Sequence, residues 1–229
     1  MAGAIQLFAT CLGDLVFPDA VADAESLLRR AGYDVRFPRG QVCCGQPAFN
    51  AGHHGAARRV ARTFARAFSP DVPVVVPSGS CTAMVARHLP RLLGVSGYDV
   101  RELSSFLAAE SVPVSRANEG RALAYHDSCH MLRELGIEDA PRRLLERSGA
   151  RVVALPRPDL CCGFGGTFSV RQPEISVALA DEKLAGAAEA EALVTADPGC
   201  LMHLGGRGER TGARPVVHLA TALARGVAP

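Results

Sequence analysis

Eight cysteines fall into one pattern used twice. Cys11, Cys43, Cys44 and Cys81 recur as Cys129, Cys161, Cys162 and Cys200, the first three displaced by 118 residues and the last by 119. Each set centres on a Cys-Cys-Gly, with Gly45 and Gly163 again 118 apart, and no cysteine lies outside the repeat. A fixed spacing of this kind marks an internal duplication and divides the 229 residues into two halves of roughly 115 residues. Whatever one half folds into, the other must repeat, and each half carries four thiols of its own.

The chain has the material for packed cores, with 48% hydrophobic and 21% charged residues. Its formal net charge of +2 gives no clustered basic footprint, so no nucleic-acid partner is expected. The segment Met1 to Cys11 lacks a basic leading region and reads as a first strand rather than a signal peptide. No apolar run approaches the ~20 residues of a membrane-spanning helix. A cytoplasmic protein without a membrane span is expected, and in a reducing cytosol repeated cysteines serve as thiolate ligands or redox groups more readily than as structural disulfides.

Apolar periodicity predicts a strand over 4–10, a helix over 19–31 ended by Gly32, and a strand over 34–37. A helix over 51–68, a buried strand over 72–76, a helix over 81–93 and a strand near 98–101 complete the first half. The second half repeats the order with strand 121–126, helix 138–148, strand 151–155, helix 173–188, strand 191–195, helix 200–205, strand 215–217 and helix 218–225. Alternating strands and helices imply right-handed crossovers, so the fold class is α/β: two tandem, pseudo-symmetric Rossmann-like halves with mostly parallel sheets. The expected domains are 1–112 and 120–229, joined within the polar stretch 110–119. Helix 51–68 also carries Arg58, Arg62 and Arg66 at i, i+4 spacing, a solvated basic face or a dock for an acidic partner.

In this order Cys11 and Cys129 follow the first strand of their halves, the Cys-Cys pairs follow the second, and Cys81 and Cys200 follow the third at the start of a helix. Loops beyond the carboxyl ends of parallel strands converge on one edge of the sheet, where such folds bind ligands. Four thiols distant in sequence therefore meet in one crevice, and the helix starts at Cys81 and Cys200 are expected to favour thiolate. Structural zinc sites draw on Cys-x2–4-Cys pairs, which this chain lacks. Adjacent cysteines, expected to point apart, suit a multi-iron cluster, and four per half match the requirement of one 4Fe-4S cluster. Buried inert thiols, a zinc or scaffold role, and a disulfide formed in air at a vacant site are the competing readings.

The cysteines stand in the motifs Phe8-Ala-Thr-Cys11-Leu, Val42-Cys43-Cys44-Gly45-Gln-Pro, Pro77-Ser-Gly-Ser-Cys81, His126-Asp-Ser-Cys129-His, Leu160-Cys161-Cys162-Gly163-Phe-Gly-Gly and Asp197-Pro-Gly-Cys200-Leu-Met-His203. On these the chain resembles the cysteine-rich CCG domain found in heterodisulfide reductases and in glycolate oxidase iron–sulfur subunits. Its fullest resemblance, over essentially the whole chain, is to the lactate utilization protein A family. The resemblance implies an iron–sulfur electron-transfer subunit, working with two partner subunits, one of them an iron–sulfur subunit, as the redox part of an L-lactate dehydrogenase complex that oxidises L-lactate to pyruvate. Cys11, Cys43, Cys44, Cys81, Cys129, Cys161, Cys162 and Cys200 are then the metal ligands of two 4Fe-4S clusters. One departure matters: the full CCG signature ends in Cys-x-x-Cys, and the first cysteine of that pair is replaced by Ser78 and Asp197. This speaks against the noncubane double cluster and disulfide chemistry of the heterodisulfide reductases and for one cubane per half. A thiol/disulfide reductase subunit remains the alternative reading.

Four further residues are candidates for acid/base, substrate-orienting or sulfur-bonding roles: His126, Asp127, His130 and His203. Asp127 or Ser128 is also a natural N-cap of a short helix. The first-half counterparts of this flank, Ala9, Thr10 and Leu12, are different, which favours the second half for any chemistry. Gly163, Gly165 and Gly166, with Gly45, are assigned to close backbone approach to a cofactor, because the run lacks the full dinucleotide fingerprint.

Overall fold

The computed structural model describes residues 3–95 and 97–227. They form two compact units, Met1–Val112 and Pro113–Pro229, each an α/β layer structure on its own four-stranded sheet. In the first unit β1 (Ala4–Leu7), β2 (Asp34–Arg36), β3 (Val74–Val76) and β4 (Val100–Glu102) lie in the order β2-β1-β3-β4. In the second, β5 (Ala122–His126), β6 (Arg151–Val153), β7 (Ala192–Thr195) and β8 (Val216–His218) lie as β6-β5-β7-β8. Every pairing is parallel, and Ile5, Leu7, Val74, Val75 and Val76 are almost wholly excluded from solvent, as are Leu123, Ala124, Leu193 and Val194. Such continuous apolar runs are what a strand covered on both faces requires. The duplication read from the cysteines is thus a duplication of topology.

The helices expected at these places form as α2 (Pro18–Arg30), α4 (His54–Ala67), α8 (Asp139–Arg147), α10 (Pro173–Gly186) and the short α12 (Leu219–Ala224). Short helices not anticipated from the pattern surround the cysteines: α1 (Cys11–Val16), α3 (Gln46–Asn50) and α9 (Thr167–Arg171). A further helix, α7 (Leu103–Ala109), follows β4 where no helix was expected. Its signal is the Glu102 carboxylate, which accepts from the N–H of Ser104 at 2.8 Å and of Ser105 at 3.1 Å. The second unit uses His218 in the same place, its Nδ1 accepting from Ala220 N–H at 3.1 Å ahead of α12.

Two expected spans need correction. The helix expected over 81–93 is three segments, α5 (Gly79–Ala83), a π-helical turn π1 (Met84–His88) and α6 (Leu89–Leu93). One extra residue per turn cannot be seen in an apolar spacing, and π-bulges are commonest near functional sites. The helix expected over 200–205 is α11 (Pro198–Thr211), which runs to an αL cap at Gly212 through Gly205, Gly206 and Gly208. Those glycines argue for an early stop, but tertiary packing overrides their propensity. A second π-helical turn, π2 (His130–Leu135), follows Cys129.

The polar stretch 110–119 is more than a tether. Asn118 is fully buried in the second unit, donating to Ser148 Oγ at 2.9 Å and Ala222 O at 2.8 Å while its Oδ1 accepts from Val227 N–H at 2.9 Å. Of the basic stripe on α4, Arg58 donates to the carbonyl of Leu92 at 2.9 Å. No helix among the described residues is long and apolar enough to cross a membrane.

Candidate metal centres

In each sheet the order reverses between β1 and β3, or between β5 and β7, and this switch point opens a crevice at the carboxyl ends of the strands. Cys11 and Cys129 stand just past β1 and β5, and Cys81 and Cys200 lie in the helices that follow β3 and β7. The loops after β2 and β6 bring Cys43-Cys44 and Cys161-Cys162 to the same edge. In the first unit the Cys43 thiol reaches those of both Cys11 and Cys44, and Cys44 also reaches Cys81. In the second, Cys161 reaches Cys129 and Cys162, and Cys162 donates to Cys200 at a sulfur–sulfur distance of 3.1 Å. All eight expected ligands thus gather into two sets of four, and all eight are free thiols. Adjacent cysteines turn together rather than apart, because Gly45 and Gly163 reverse the chain immediately after them with φ of 90° and 91°.

The local sequence enforces this turn. A Cβ at Gly163 would lie 2.3 Å from the carbonyl oxygen of Ser176 on α10, so only glycine lets the loop seat on that helix. Gly165 and Gly166, also at positive φ, turn the chain into α9. The backbone then aims donors at sulfur: Gly45 N–H at Cys43 (3.3 Å), Gly163 N–H at Cys161 (3.4 Å) and Phe164 N–H at Cys162 (3.5 Å). Thr10, just before Cys11, holds φ 65°, a strained value for a non-glycine, and its Oγ1 accepts from Gly13 N–H at 3.2 Å to cap α1.

At Cys200 the acidity differs from that expected of a helix N-terminus. The first cysteine of each pair is the thiolate: hydrogen bonds from Cys11 and Cys44 push Cys43 down to about 2, and those from Cys129 and Cys162 push Cys161 down to about 2. Donation to these thiolates, with burial, holds Cys11, Cys44, Cys129 and Cys162 well above the usual thiol range. At Cys200 the hydrogen bond from Cys162 lowers the pKa, but burial and the nearby charges of Asp197 and Cys161 raise it overall, so proximity to a helix start does not decide its state.

Ser78 and Asp197, which stand where the fuller signature has a further cysteine, cap the helices that carry Cys81 and Cys200. Ser78 Oγ accepts from Cys81 N–H at 3.3 Å and Asp197 Oδ1 from Gly199 N–H at 3.0 Å. Both oxygens are committed to the backbone, so neither stands in for the missing sulfur.

The candidate acid/base residues separate on inspection. Asp127 is buried and paired to Arg142 at 2.5 Å, so Ser128, not Asp127, provides the cap, accepting from Met131 N–H at 3.4 Å. His130 Nδ1 lies 4.0 Å from Cys129 Sγ, and its Nε2 lies 3.5 Å from Glu134. His203 Nε2 is 3.1 Å from Ser176 Oγ, whose hydroxyl donates to Gly163 O at 2.8 Å, so it braces the turn after the Cys-Cys pair. His126 is fully buried at the end of β5, its pKa pushed down to about 3 by desolvation and then by the charge of Lys183. Neither of its ring nitrogens has a hydrogen-bond partner among the described residues.

Lys183 was not anticipated. It is 2% exposed and donates its ammonium to the carbonyls of Arg157 (2.6 Å) and Pro158 (3.2 Å) just ahead of Cys161; burial lowers its pKa, opposed by Asp127, Asp159, Cys162 and Cys161. Aligning α10 with α4 end to end, 119 residues apart, sets it opposite Phe64.

Thiols in sets of four, N–H groups aimed at sulfur and no free carboxylate oxygen in the set are the donor chemistry of iron–sulfur clusters, zinc or copper(I). A cluster several ångströms across is the better match to two sulfurs on adjacent residues. Comparison with known proteins finds the same cysteine pattern in a family. The family model described as a cysteine-rich domain, CCG, matches residues 5–86 and again 123–205. A protein of Geobacillus kaustophilus called lactate utilization protein A is 43% identical over 96% of this chain and 98% of its own length. One of the same name from Halalkalibacterium halodurans is 41% identical over 96% of each, and lactate utilization protein A 2 of Bacillus cereus strain Q1 is 38% identical over 97% and 98%.

Proposed function

The chain belongs to the lactate utilization protein A family, whose CCG cysteine-rich domain it carries twice, and on that premise we propose that it is an iron–sulfur electron-transfer subunit of a multi-subunit system oxidising L-lactate to pyruvate. The observation that carries the proposal is the gathering of four thiols at the switch point of each sheet, in a chain that matches these relatives along nearly its whole length. Cys11, Cys43, Cys44 and Cys81 would hold one 4Fe-4S cluster and Cys129, Cys161, Cys162 and Cys200 the other. Such a cluster, when bound, supplies one-electron redox chemistry at a potential set by burial, charge and hydrogen bonds to its sulfurs. The chain's part is to exclude water with the buried sulfurs of Cys44, Cys81, Cys162 and Cys200, and to hold the pair sulfurs by the N–H groups of Gly45, Gly163 and Phe164.

Two partner subunits, one an iron–sulfur protein, complete the system, which operates in the cytoplasm. Apolar side chains left open beside each centre support docking there: Leu15 (80% exposed) and Val16 on the helix begun by Cys11, and Val170 (80%) and Ile175 beyond the Cys161–Gly166 loop. The test is lactate-dependent reduction of the reconstituted complex. Wild type supports it, and Cys44→Ser or Cys162→Ser abolishes it.

A second reading, a thiol/disulfide reductase subunit, is favoured by the half-buried, low-pKa thiols of Cys43 and Cys161. It predicts disulfide turnover by the isolated chain. The relay reading predicts none, and measurable turnover overturns it.

A further inference from the structure

One nitrogen donor sits among the second unit's sulfurs. His126, the last residue of β5, is wholly buried, and a ligand nitrogen of its ring lies with Cys162 Sγ and Cys200 Sγ in a group whose atoms are all within 4.8 Å of one another. Nothing among the described residues accounts for that imidazole, since neither Nδ1 nor Nε2 finds a hydrogen-bond partner there. Leaving a buried polar group unpaired is costly. Buried histidines normally find partners, and an orphan aimed at a set of metal-type donors points to a ligand. Its flanking residue Asp127 is held away by Arg142, and Ser128 is committed to the cap of π2, so the position after β5 presents the imidazole alone. In the first unit the same position, one past Leu7, holds Phe8, which has no donor atom and packs edge-on into an aromatic cluster.

We infer that His126 is a direct nitrogen ligand of the metal centre in the second unit, beside Cys162 and Cys200, so that the two centres differ in ligand type: sulfur alone in the first, sulfur and nitrogen in the second. Ligation requires only the ring's lone pair; no electron is transferred and no bond of the protein breaks. The imidazole is neutral and adds to the thiolates without replacing one, so it marks the second centre by a nitrogen at iron rather than by a change of charge. The inference rests on the iron–sulfur reading above, and its test separates the two.

Protein labelled with 15N-histidine and unlabelled protein are purified anaerobically as the full chain. Iron and acid-labile sulfide are counted, and the reduced centres are examined by pulsed EPR, the second-unit signal being the one lost in Cys162→Ser. Ligation predicts a strong, isotope-sensitive nitrogen coupling on that signal and none on the other. In His126→Phe, which installs the side chain the first unit uses, the coupling disappears. Two intact clusters with only weak nitrogen coupling, or a strong coupling that survives His126→Phe, overturn the inference and leave the iron–sulfur reading standing. Protein without iron and sulfide overturns both. The isotope comparison on wild type needs no variant to fold.

Discussion

Phe8 packs edge-on against Phe64 at 5.4 Å and Phe68 at 5.3 Å between ring centres, in one buried cluster with Cys44 and Cys81. The equivalent positions in the second unit hold His126, Lys183 and Ala187, with the Asp127–Arg142 pair beside them. Strand order, loop turns and helix caps around the thiols are the same in both. One frame has therefore been kept for its four sulfurs while its lining has diverged, from aromatic carbon in the first unit to an imidazole and a buried ammonium in the second. A cluster with four thiolate ligands is anionic, and a cation nearby stabilises its reduced form most. The second centre should then be the stronger electron acceptor.

The comparison breaks first on packing. Phe64→Ala removes the hub of the aromatic cluster and should cost about 3–5 kcal/mol, read as faster hydrogen exchange of the β1 amides, with the second unit's β5 amides unchanged. Arg142→Ala leaves Asp127 buried without its partner; because Arg142 is partly exposed, a loss of about 3 kcal/mol in the second unit alone is expected from chemical denaturation. Equal losses in both units from either change would contradict separate linings.

Charge sharpens it. Lys183→Met keeps the aliphatic volume and removes the ammonium, so the second-centre potential should drop by about 2 kcal/mol, roughly 100 mV for one electron, in a redox titration. Phe64→Met should leave the first-centre potential nearly where it was. The smallest effects lie in the caps: Ser78→Ala and Asp197→Ala should each cost about 1 kcal/mol, and similar values would show that the two residues do one job in two chemistries.

Much of the frame was legible because it is written in long or repeated signals. Val74–Val76 reads as a buried strand from three β-branched residues in a row, and the cysteine offsets alone announce two copies of one fold. Short helices such as Cys11–Val16 were invisible since one turn carries no period, and its Leu15 points apolar surface at solvent. The π-turns at Met84–His88 and His130–Leu135 add a residue that periodicity cannot register. His126 stands out in the sequence for its nearness to Cys129, whereas in space it groups with Cys162 and Cys200, a grouping made by β5 lying between β6 and β7. Lys183 hides on an ordinary helix face. Carrying the repeat beyond the cysteines, so that Lys183 is set opposite Phe64, is the signal that would have found it.

The central claim, two four-cysteine centres in one duplicated frame, is tested most directly by metal content. Iron and acid-labile sulfide are measured on anaerobically purified wild type, Cys44→Ser and Cys162→Ser. The account predicts about eight irons in wild type and about four in each variant, with a different EPR signal lost each time. Zinc or no metal in the wild type, or a single substitution that empties both units, would contradict it.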